Sequence, residues 1–156
     1  MSFLPSNIIS GGQTGVDRAA LDFAIRHGIP YCGFIPKDRW AEDGRIPETY
    51  LGLVETNSAD PAERTRLNVG ASDAVLVVSR GEPDGGTRLT IALAKQYDKP
   101  FLHIDLAQEQ LFLDDLFQSC STLAKCNETL IAGPRESKCP GIHAETLLFL
   151  EQLFAA

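Results

Sequence analysis

The sequence is poor in basic residues, has no long apolar run and has no paired cysteine motif. Lys and Arg number 14 against 21 Asp and Glu, for a formal net charge of −7. An acidic chain of this kind is unsuited to sequence-independent binding of nucleic acid or anionic membrane. No run approaches the roughly 18 apolar residues of a membrane span, and residues 1–5 lack the features of a secretory signal. We therefore expect a cytoplasmic protein with no nucleic-acid or membrane partner, in which any anion site is built locally.

Metal and redox motifs are also missing. None of the 4 cysteines forms a Cys-x-x-Cys pair, so neither a zinc knuckle nor a thioredoxin-like motif is supported. Free thiols in a reducing compartment are the simpler interpretation. The 3 histidines show no metal-ligand spacing, and no Ser-His-Asp or Cys-His set can be assembled. We predict no protein-ligated metal and no catalytic residues.

Strand and helix patterns alternate along the 156 residues, a length that fits one domain. Strands are predicted at 7–10, 30–35, 53–56, 74–79, 100–105 and 128–132, and helices at 15–27, 61–71, 86–97, 106–120 and 142–154. This alternation is typical of a mostly parallel sheet covered by helices on both faces. We predict a single α/β domain over 1–156, a three-layer α/β/α Rossmann-like fold.

Two glycine-rich turns each follow a strand and precede a helix, one at 11–15 and the other at 81–87. Glycine lets the backbone approach a ligand closely, and the next helix offers unpaired amides and the positive end of its dipole. Such turns attract phosphate. In the commonest doubly wound order the first strand and the strand at 74–79 are neighbours where ligands bind. The two turns would then face each other across one crevice.

The first turn fits neither the dinucleotide fingerprint Gly-x-Gly-x-x-Gly nor a Walker A loop, because its glycines are at 11, 12 and 15 and no Gly-Lys-Ser/Thr follows. Lys37 and Arg39 follow the second strand, where a dinucleotide site carries an acidic residue. Basic side chains in place of that acidic residue favour a phosphate group over a ribose diol as the ligand group bound there.

We predict that the backbone amides of 12–15 and 86–87 bind phosphate, with nearby cations supplying charge. Some candidates keep a second interpretation: Asp17 as a helix-dipole residue, Glu42 and Asp43 as a solvated loop, and Glu136 as an ion-pair partner of Arg135. The helix at 61–71 either lines the site with one side or presents a solvated face. The candidate ligand residues are Gly11, Gly12, Gln13, Thr14, Gly15, Asp17, Arg18, Lys37, Arg39, Glu42, Asp43, Arg64, Asn68, Ser79, Gly85, Gly86, Thr87, Arg135, Glu136 and Ser137.

Residues 85–87 are similar to part of the Pro-Gly-Gly-x-Gly-Thr-x-x-Glu motif of the lysine-decarboxylase-like, cytokinin-activating phosphoribohydrolases. Thr90 stands where that motif has its catalytic glutamate. The resemblance therefore gives little support to that hydrolysis in this chain.

A closer resemblance covers nearly the whole chain. The segments 10–22, 41–47, 64–65, 68–69, 72–73, 85–87 and 133–137 resemble, as a set, the molybdenum (cofactor) carrier protein family, within the lysine-decarboxylase-like Rossmann superfamily. The resemblance implies a Rossmann-like oligomer that binds molybdenum cofactor (molybdopterin), a phosphorylated pterin dithiolene, and that would serve molybdoenzymes as partners. The superfamily also includes nucleotide-sensing proteins. A sensor or scaffold for ADP-ribose-like nucleotides, and a nucleotide phosphoribohydrolase-like enzyme, remain as alternatives.

The last predicted helix is apolar almost all round. Leu147, Leu148, Phe149, Leu150, Leu153 and Phe154 follow one another closely. One face can cover the sheet, and a second apolar face would mark an interface. We predict a homo-oligomer, a dimer or tetramer, unless the segment 106–127 covers that face within one chain.

Overall fold

The computed structural model describes residues 4–108 and 127–155. Its strands are β1 (Ile8–Ile9), β2 (Tyr31–Ile35), β3 (Trp40–Ala41), β4 (Gly44–Arg45), β5 (Leu53–Glu55), β6 (Ala74–Ser79), β7 (Phe101–Asp105) and β8 (Thr129–Ala132). Its helices are α1 (Val16–His27), α2 (Pro61–Ala71), α3 (Gly85–Gln96) and α4 (Ile142–Phe154), with a short 3₁₀ turn at Lys37–Arg39. The predicted order of elements is confirmed for the described residues, and the structure adds the small hairpin β3–β4 inside the turn-rich segment. Most of the helix predicted at 106–120 lies outside the described residues.

Six parallel strands form the main sheet in the order β5-β2-β1-β8-β6-β7. Alternate side chains of β6 enter two separate cores, because successive residues of a strand point to opposite faces. Leu76 and Val78 pack with apolar residues of α1 and α4. Val75 and Val77 pack with apolar residues of α2 and α3. The sheet is therefore the middle of three layers, as the sequence predicts.

The prediction that the first strand and β6 are adjacent in the sheet is wrong. The last strand, β8, lies between them: Leu130 pairs with Ile9 on one side and with Val75 on the other. Because the strands are parallel, all three carboxyl ends meet at one edge of the sheet. The segment after β8, residues 133–138, therefore lies between the two glycine turns.

Helix α4 is largely covered within the chain. Phe149, Leu150, Leu153 and Phe154 are buried against α1 and the sheet, whereas Leu148 is 61% exposed. The expected second apolar face is thus reduced mainly to Leu148, and a homo-oligomer stays a prediction. In the described ranges, no helix is long and apolar enough to cross a membrane.

Candidate functional site

The first glycine turn satisfies three of its own amides. The Gly12 amide donates to Ser10 Oγ at 3.2 Å, and the Gln13 amide donates to Asp17 Oδ2 at 3.3 Å. The Thr14 amide donates to Gln13 Oε1 at 3.0 Å. Three amides that the sequence predicts as phosphate donors therefore already have protein acceptors. This finding corrects the prediction, and the reason is that polar side chains within and beside the turn fold back onto it.

Arg64 of α2 crosses to this turn. Its Nη1 donates to the Gly11 carbonyl oxygen at 2.7 Å and to Asp17 Oδ2 at 3.1 Å. Burial raises the pKa of Asp17, while the Arg64 guanidinium and the Gln13 amide oppose that rise. One side of α2 thus contacts the first glycine turn, and that this side lines a ligand site stays a prediction.

Asn68, one turn further along α2, serves the sheet. Its side-chain oxygen accepts from the Phe34 amide at 2.7 Å, and its nitrogen donates to the Phe34 carbonyl at 2.9 Å. The strand β1 pairs with β2 only through Ile8 and Ile9. The Asn68 amide therefore replaces the ladder bonds that β1 does not extend far enough to make.

The second glycine turn leaves its amides available. Helix α3 begins at Gly85, and its N-cap residue Asp84 makes no side-chain capping bond. In the part of the chain that the structure describes, no hydrogen-bond acceptor is seen for the amides of Gly85, Gly86 or Thr87. The first turn of a helix carries unpaired donors and the positive end of the dipole. This turn therefore presents unpaired amide donors together with the positive end of the helix dipole.

These elements enclose a small cavity, which we call the anion cavity. Its volume is about 140 Å³. Three cationic side chains (Arg64, Arg135 and Lys138) and two carboxylates (Asp17 and Asp84) are among its walls. The complete lining is Gly11, Gln13, Asp17, Pro61, Arg64, Thr65, Asn68, Asp84, Gly86, Thr87, Thr90, Leu130, Ala132, Gly133, Pro134, Arg135 and Lys138.

Both carboxylates of the anion cavity are paired, whereas Arg135 keeps donors unused. Asp17 pairs with Arg64, and Asp84 lies 3.3 Å from Lys138 Nζ. The terminal nitrogens of Arg135 make no hydrogen bond to any residue in the described ranges, and its side chain is 42% exposed. Together with the α3 amides, Arg135 gives the cavity an excess of unpaired donors.

A second depression, the polar depression, lies on the other side of residues 134–137. Its volume is about 690 Å³, and it is more open. It is lined by Thr14, Gly15, Arg18, Asp22, Glu42, Asp43, Tyr50, Glu136, Ser137 and His143. A Cβ at Gly15 would lie 2.3 Å from the Pro134 carbonyl oxygen, so glycine lets the first turn pack against this segment.

Pairs of acidic and basic or hydroxyl-bearing side chains line the polar depression. Arg18 contacts both oxygens of Asp43, and its hydrogen bond holds the pKa of Asp43 below the ordinary value. Asp22 accepts from the Tyr50 hydroxyl at 2.6 Å and lies 2.7 Å from His143 Nε2. Burial, followed by the bond to Asp22, raises the pKa of Tyr50. These contacts join α1 to the β4–β5 connection and to α4.

Glu136 caps the last helix. Its two carboxylate oxygens accept from the amides of Gly141, at 2.7 Å, and His143, at 2.9 Å. A carboxylate at a helix N-terminus satisfies unpaired amides and complements the dipole. The structure thus assigns Glu136 a structural contact, although its partner is the α4 backbone rather than Arg135.

The predicted site residues fall into three groups. The anion cavity gathers Gly11, Gln13, Asp17, Arg64, Asn68, Gly86, Thr87 and Arg135. The polar depression gathers Thr14, Gly15, Arg18, Glu42, Asp43, Glu136 and Ser137. Neither is lined by Gly12, Lys37, Arg39, Ser79 or Gly85.

The structure corrects the prediction that Arg39 and Ser79 contact the ligand, and the cause is clear for both. Arg39 is 7% exposed, and its guanidinium donates to the carbonyl oxygens of Ile46 at 3.0 Å and Pro47 at 2.9 Å. The Ser79 hydroxyl donates to the Gly81 carbonyl at 2.9 Å and lies 2.7 Å from His103 Nε2. Both side chains therefore stabilise turns beyond the strands instead of facing the cavities.

Sequence reasoning missed Lys138, Thr90 and the pair formed by Asp22 and His143. Lys138 follows Arg135 by three residues in one turn, and this spacing could have drawn attention to it. The Asp22–His143 contact joins residues 121 positions apart, for which the sequence carries no signal.

The fold and the anion cavity define a class of Rossmann-like proteins with a site at the carboxyl edge of a parallel sheet, where such folds place ligands. Residues 8–154 match the model of the Circularly permutated YpsA SLOG family. The chain belongs to that family. Its structure is similar to the crystal structure of a "putative molybdenum carrier protein" from Syntrophus aciditrophicus SB, with 47% sequence identity and a TM-score of 0.88, covering 97% of this chain and 96% of that one. No curated protein matches.

These comparisons confirm the resemblance drawn from the sequence motifs. They also support a ligand-binding role.

Proposed function

We propose that this protein binds a phosphorylated small molecule as cargo, with the phosphate in the anion cavity, and that the cargo is molybdenum cofactor. One observation carries the proposal: unpaired α3 amides and three cationic side chains converge on one cavity in a chain of net charge −7. Two of these cations are paired with the carboxylates Asp17 and Asp84, so the unpaired donors are Arg135 and the α3 amides, to which a bound anion would supply an acceptor.

The volume of the cavity limits which part of the ligand enters it. Pockets that enclose a drug-sized ligand usually measure about 300–1,000 Å³, and the anion cavity measures about 140 Å³. It suits a phosphate-sized group. The remainder of a phosphorylated ligand would lie outside the cavity.

The residues present fit the phosphate end of molybdenum cofactor. Amide, guanidinium and ammonium donors match phosphate oxygens. In the described ranges, no group of three His, Cys, Asp or Glu side chains is placed to hold a metal ion. In this proposal the cargo would be retained through its phosphate, and its own dithiolene would hold the molybdenum.

The strength of binding follows from these donors. A hydrogen bond to a charged group contributes about 1.5–3 kcal/mol. Three or four such bonds total about 4.5–12 kcal/mol; after an association cost of at least about 4 kcal/mol, at most about 8 kcal/mol remains, which sets micromolar affinity as the upper limit. This affinity suits a carrier that must release its cargo to a molybdoenzyme.

The geometry favours binding over hydrolysis. Asp17 and Asp84 are the carboxylates among the described residues that line the anion cavity, and both are ion-paired. Thr90, at the position of the glutamate in the phosphoribohydrolase motif, donates its hydroxyl to the Gly86 carbonyl at 2.9 Å. A general base must lie within hydrogen-bond reach of the proton that it removes, and both carboxylates of this cavity instead contact protein cations.

Mass spectrometry of small molecules released from the protein purified from its native host tests the proposal. We expect a phosphorylated pterin in the wild-type sample and its loss from an Arg135→Ala sample prepared in parallel. An adenine nucleotide lost in the same way would replace the carrier role with nucleotide sensing. No phosphorylated compound, together with no binding of added inorganic phosphate, would refute the anion site.

A further inference from the structure

Glu42, in the β3–β4 hairpin, holds the segment that carries Arg135. Its Oε1 accepts from the Ser137 amide at 3.1 Å, and its Oε2 accepts from the Ser137 hydroxyl. The Thr14 hydroxyl also donates to Glu42, and its oxygen accepts from the Glu136 amide at 3.1 Å. One carboxylate therefore joins the first glycine turn to residues 136–137.

The same carboxylate also contacts Arg135, from the side opposite the anion cavity. Glu42 Oε2 lies 3.4 Å from Arg135 Nε. This Nε is buried and makes no hydrogen bond of good geometry to any described residue. Arg135 also lines the anion cavity, whereas Glu42 lines the polar depression. The inner nitrogen of the guanidinium thus faces Glu42 at ion-pair distance, and the terminal nitrogens make no hydrogen bond to any described residue.

Glu42 is itself fixed in place. Gln13 Oε1 accepts from the Glu42 amide at 2.9 Å and from the Thr14 amide at 3.0 Å. Partial burial raises the pKa of Glu42, but the hydrogen bonds from Ser137 and Thr14, with Arg135, hold it below the ordinary value. The carboxylate is therefore ionised at neutral pH, and its oxygens are occupied by protein donors.

From this geometry we infer that Glu42 is a positioning residue, which aims Arg135 into the anion cavity and does not itself bind the ligand. The inference rests on the proposed anion-binding function. It replaces the sequence-based prediction that Glu42 contacts the ligand directly.

The charge of Glu42 and its position have opposite effects on anion binding, so the test must separate them. A negative charge near the cavity weakens anion binding, whereas correct placement of Arg135 strengthens it. Glu42→Asp keeps the charge and withdraws the carboxylate by about one C–C bond, ~1.5 Å. Glu42→Gln removes the charge and keeps the length. Comparison of the two variants separates the two effects.

Inorganic phosphate is the probe, titrated into the full chain and followed by phosphorus-31 NMR. We expect Arg135→Ala to weaken phosphate binding about 10-fold to 150-fold, and Glu42→Asp to weaken it about 3-fold to 10-fold. In the Arg135→Ala background, Glu42→Asp should change affinity less than about 2-fold, because the residue it acts through is gone. In the matched Lys138→Ala background it should keep its full effect. The exposed Ser137→Ala, which removes one bond to Glu42, should act in the same direction if Glu42→Asp does not fold.

Several outcomes overturn the inference. One is unchanged affinity in Glu42→Asp and in Ser137→Ala. Another is a Glu42→Asp effect that adds to that of Arg135→Ala. The exchange of the Arg135 Nε proton with solvent, measured by nitrogen-15 NMR without ligand, gives a second readout, which Glu42→Asp should accelerate. If the wild-type protein binds no phosphate, or Arg135→Ala has no effect, the proposed function itself fails. If phosphate binding depends on Arg135, but Glu42→Asp changes neither the phosphate affinity nor the rate of proton exchange, only the positioning role fails.

Discussion

A valine at position 86 should separate ligand binding from folding. A Cβ at Gly86 would meet no atom within 4 Å, and Gly86 lines the anion cavity at the second position of α3. Most residues favour a helix over glycine by about 0.3–1 kcal/mol. We therefore expect unchanged or slightly higher thermal stability. The new side chain would cover amides that each contribute about 1.5–3 kcal/mol to anion binding, so phosphate affinity should fall at least about 10-fold.

Gly12→Val is the matched control from the first turn. Gly12 has a φ of +74°, and a Cβ there would lie 2.9 Å from Ile46 Cδ1. A β-branched residue is strained at such a φ. We therefore expect Gly12→Val to lower the melting temperature without the selective loss of phosphate binding seen in Gly86→Val.

Calorimetric titration with inorganic phosphate and thermal melting of both variants decide between these outcomes. Wild-type affinity in Gly86→Val would refute the assignment of the α3 amides. A large loss of stability in Gly86→Val would show instead that the turn is needed for packing.

Three further predictions concern charge and assembly. Arg39→Met should lower the free energy of unfolding by about 1–3 kcal/mol in denaturant titrations, because it leaves the carbonyl oxygen of the buried Ile46 without its guanidinium donor. Phosphate affinity should not change, and a selective loss of affinity would return Arg39 to the site. The pKa of Glu42 lies below its ordinary value despite partial burial. Glu42 therefore contributes stability that is present above the unfolded-state pKa of about 4.3 and is lost as pH falls through the lower folded-state pKa. The melting temperature of Glu42→Gln should accordingly fall less steeply with acid than that of the wild type, and parallel curves would contradict the shift. We predict that the chain forms an oligomer, so light scattering at micromolar concentration should give a mass above 17.0 kDa. Leu148→Glu should dissociate the oligomer without unfolding the chain, whereas Phe149→Glu should unfold the chain because Phe149 is 3% exposed. A monomeric wild-type protein would contradict this prediction.

Local sequence signals were sufficient for most of the elements, apart from the β3–β4 hairpin, and for one wall of the anion cavity. The continuous apolar run of β6 predicts a strand buried on both faces, and all six of its residues are buried. Asp60 followed by proline predicts the start of α2, and Asp60 accepts a hydrogen bond from the Ala62 amide. The second glycine turn presents amides because α3 begins directly after it. These properties depend on residues within a few positions of one another.

Tertiary structure decided the strand order and the use of polar groups. The position of β8 between β1 and β6 depends on pairing between residues more than a hundred positions apart, such as Ile9 and Leu130. The first turn resembles an anion-binding turn in sequence, but Ser10, Gln13 and Asp17 occupy its amides. Arg39 follows a strand as a phosphate-binding residue would, yet it is buried among carbonyl oxygens. A sequence determines which polar groups a chain carries, whereas packing in three dimensions determines which of them remain unpaired and available to a ligand.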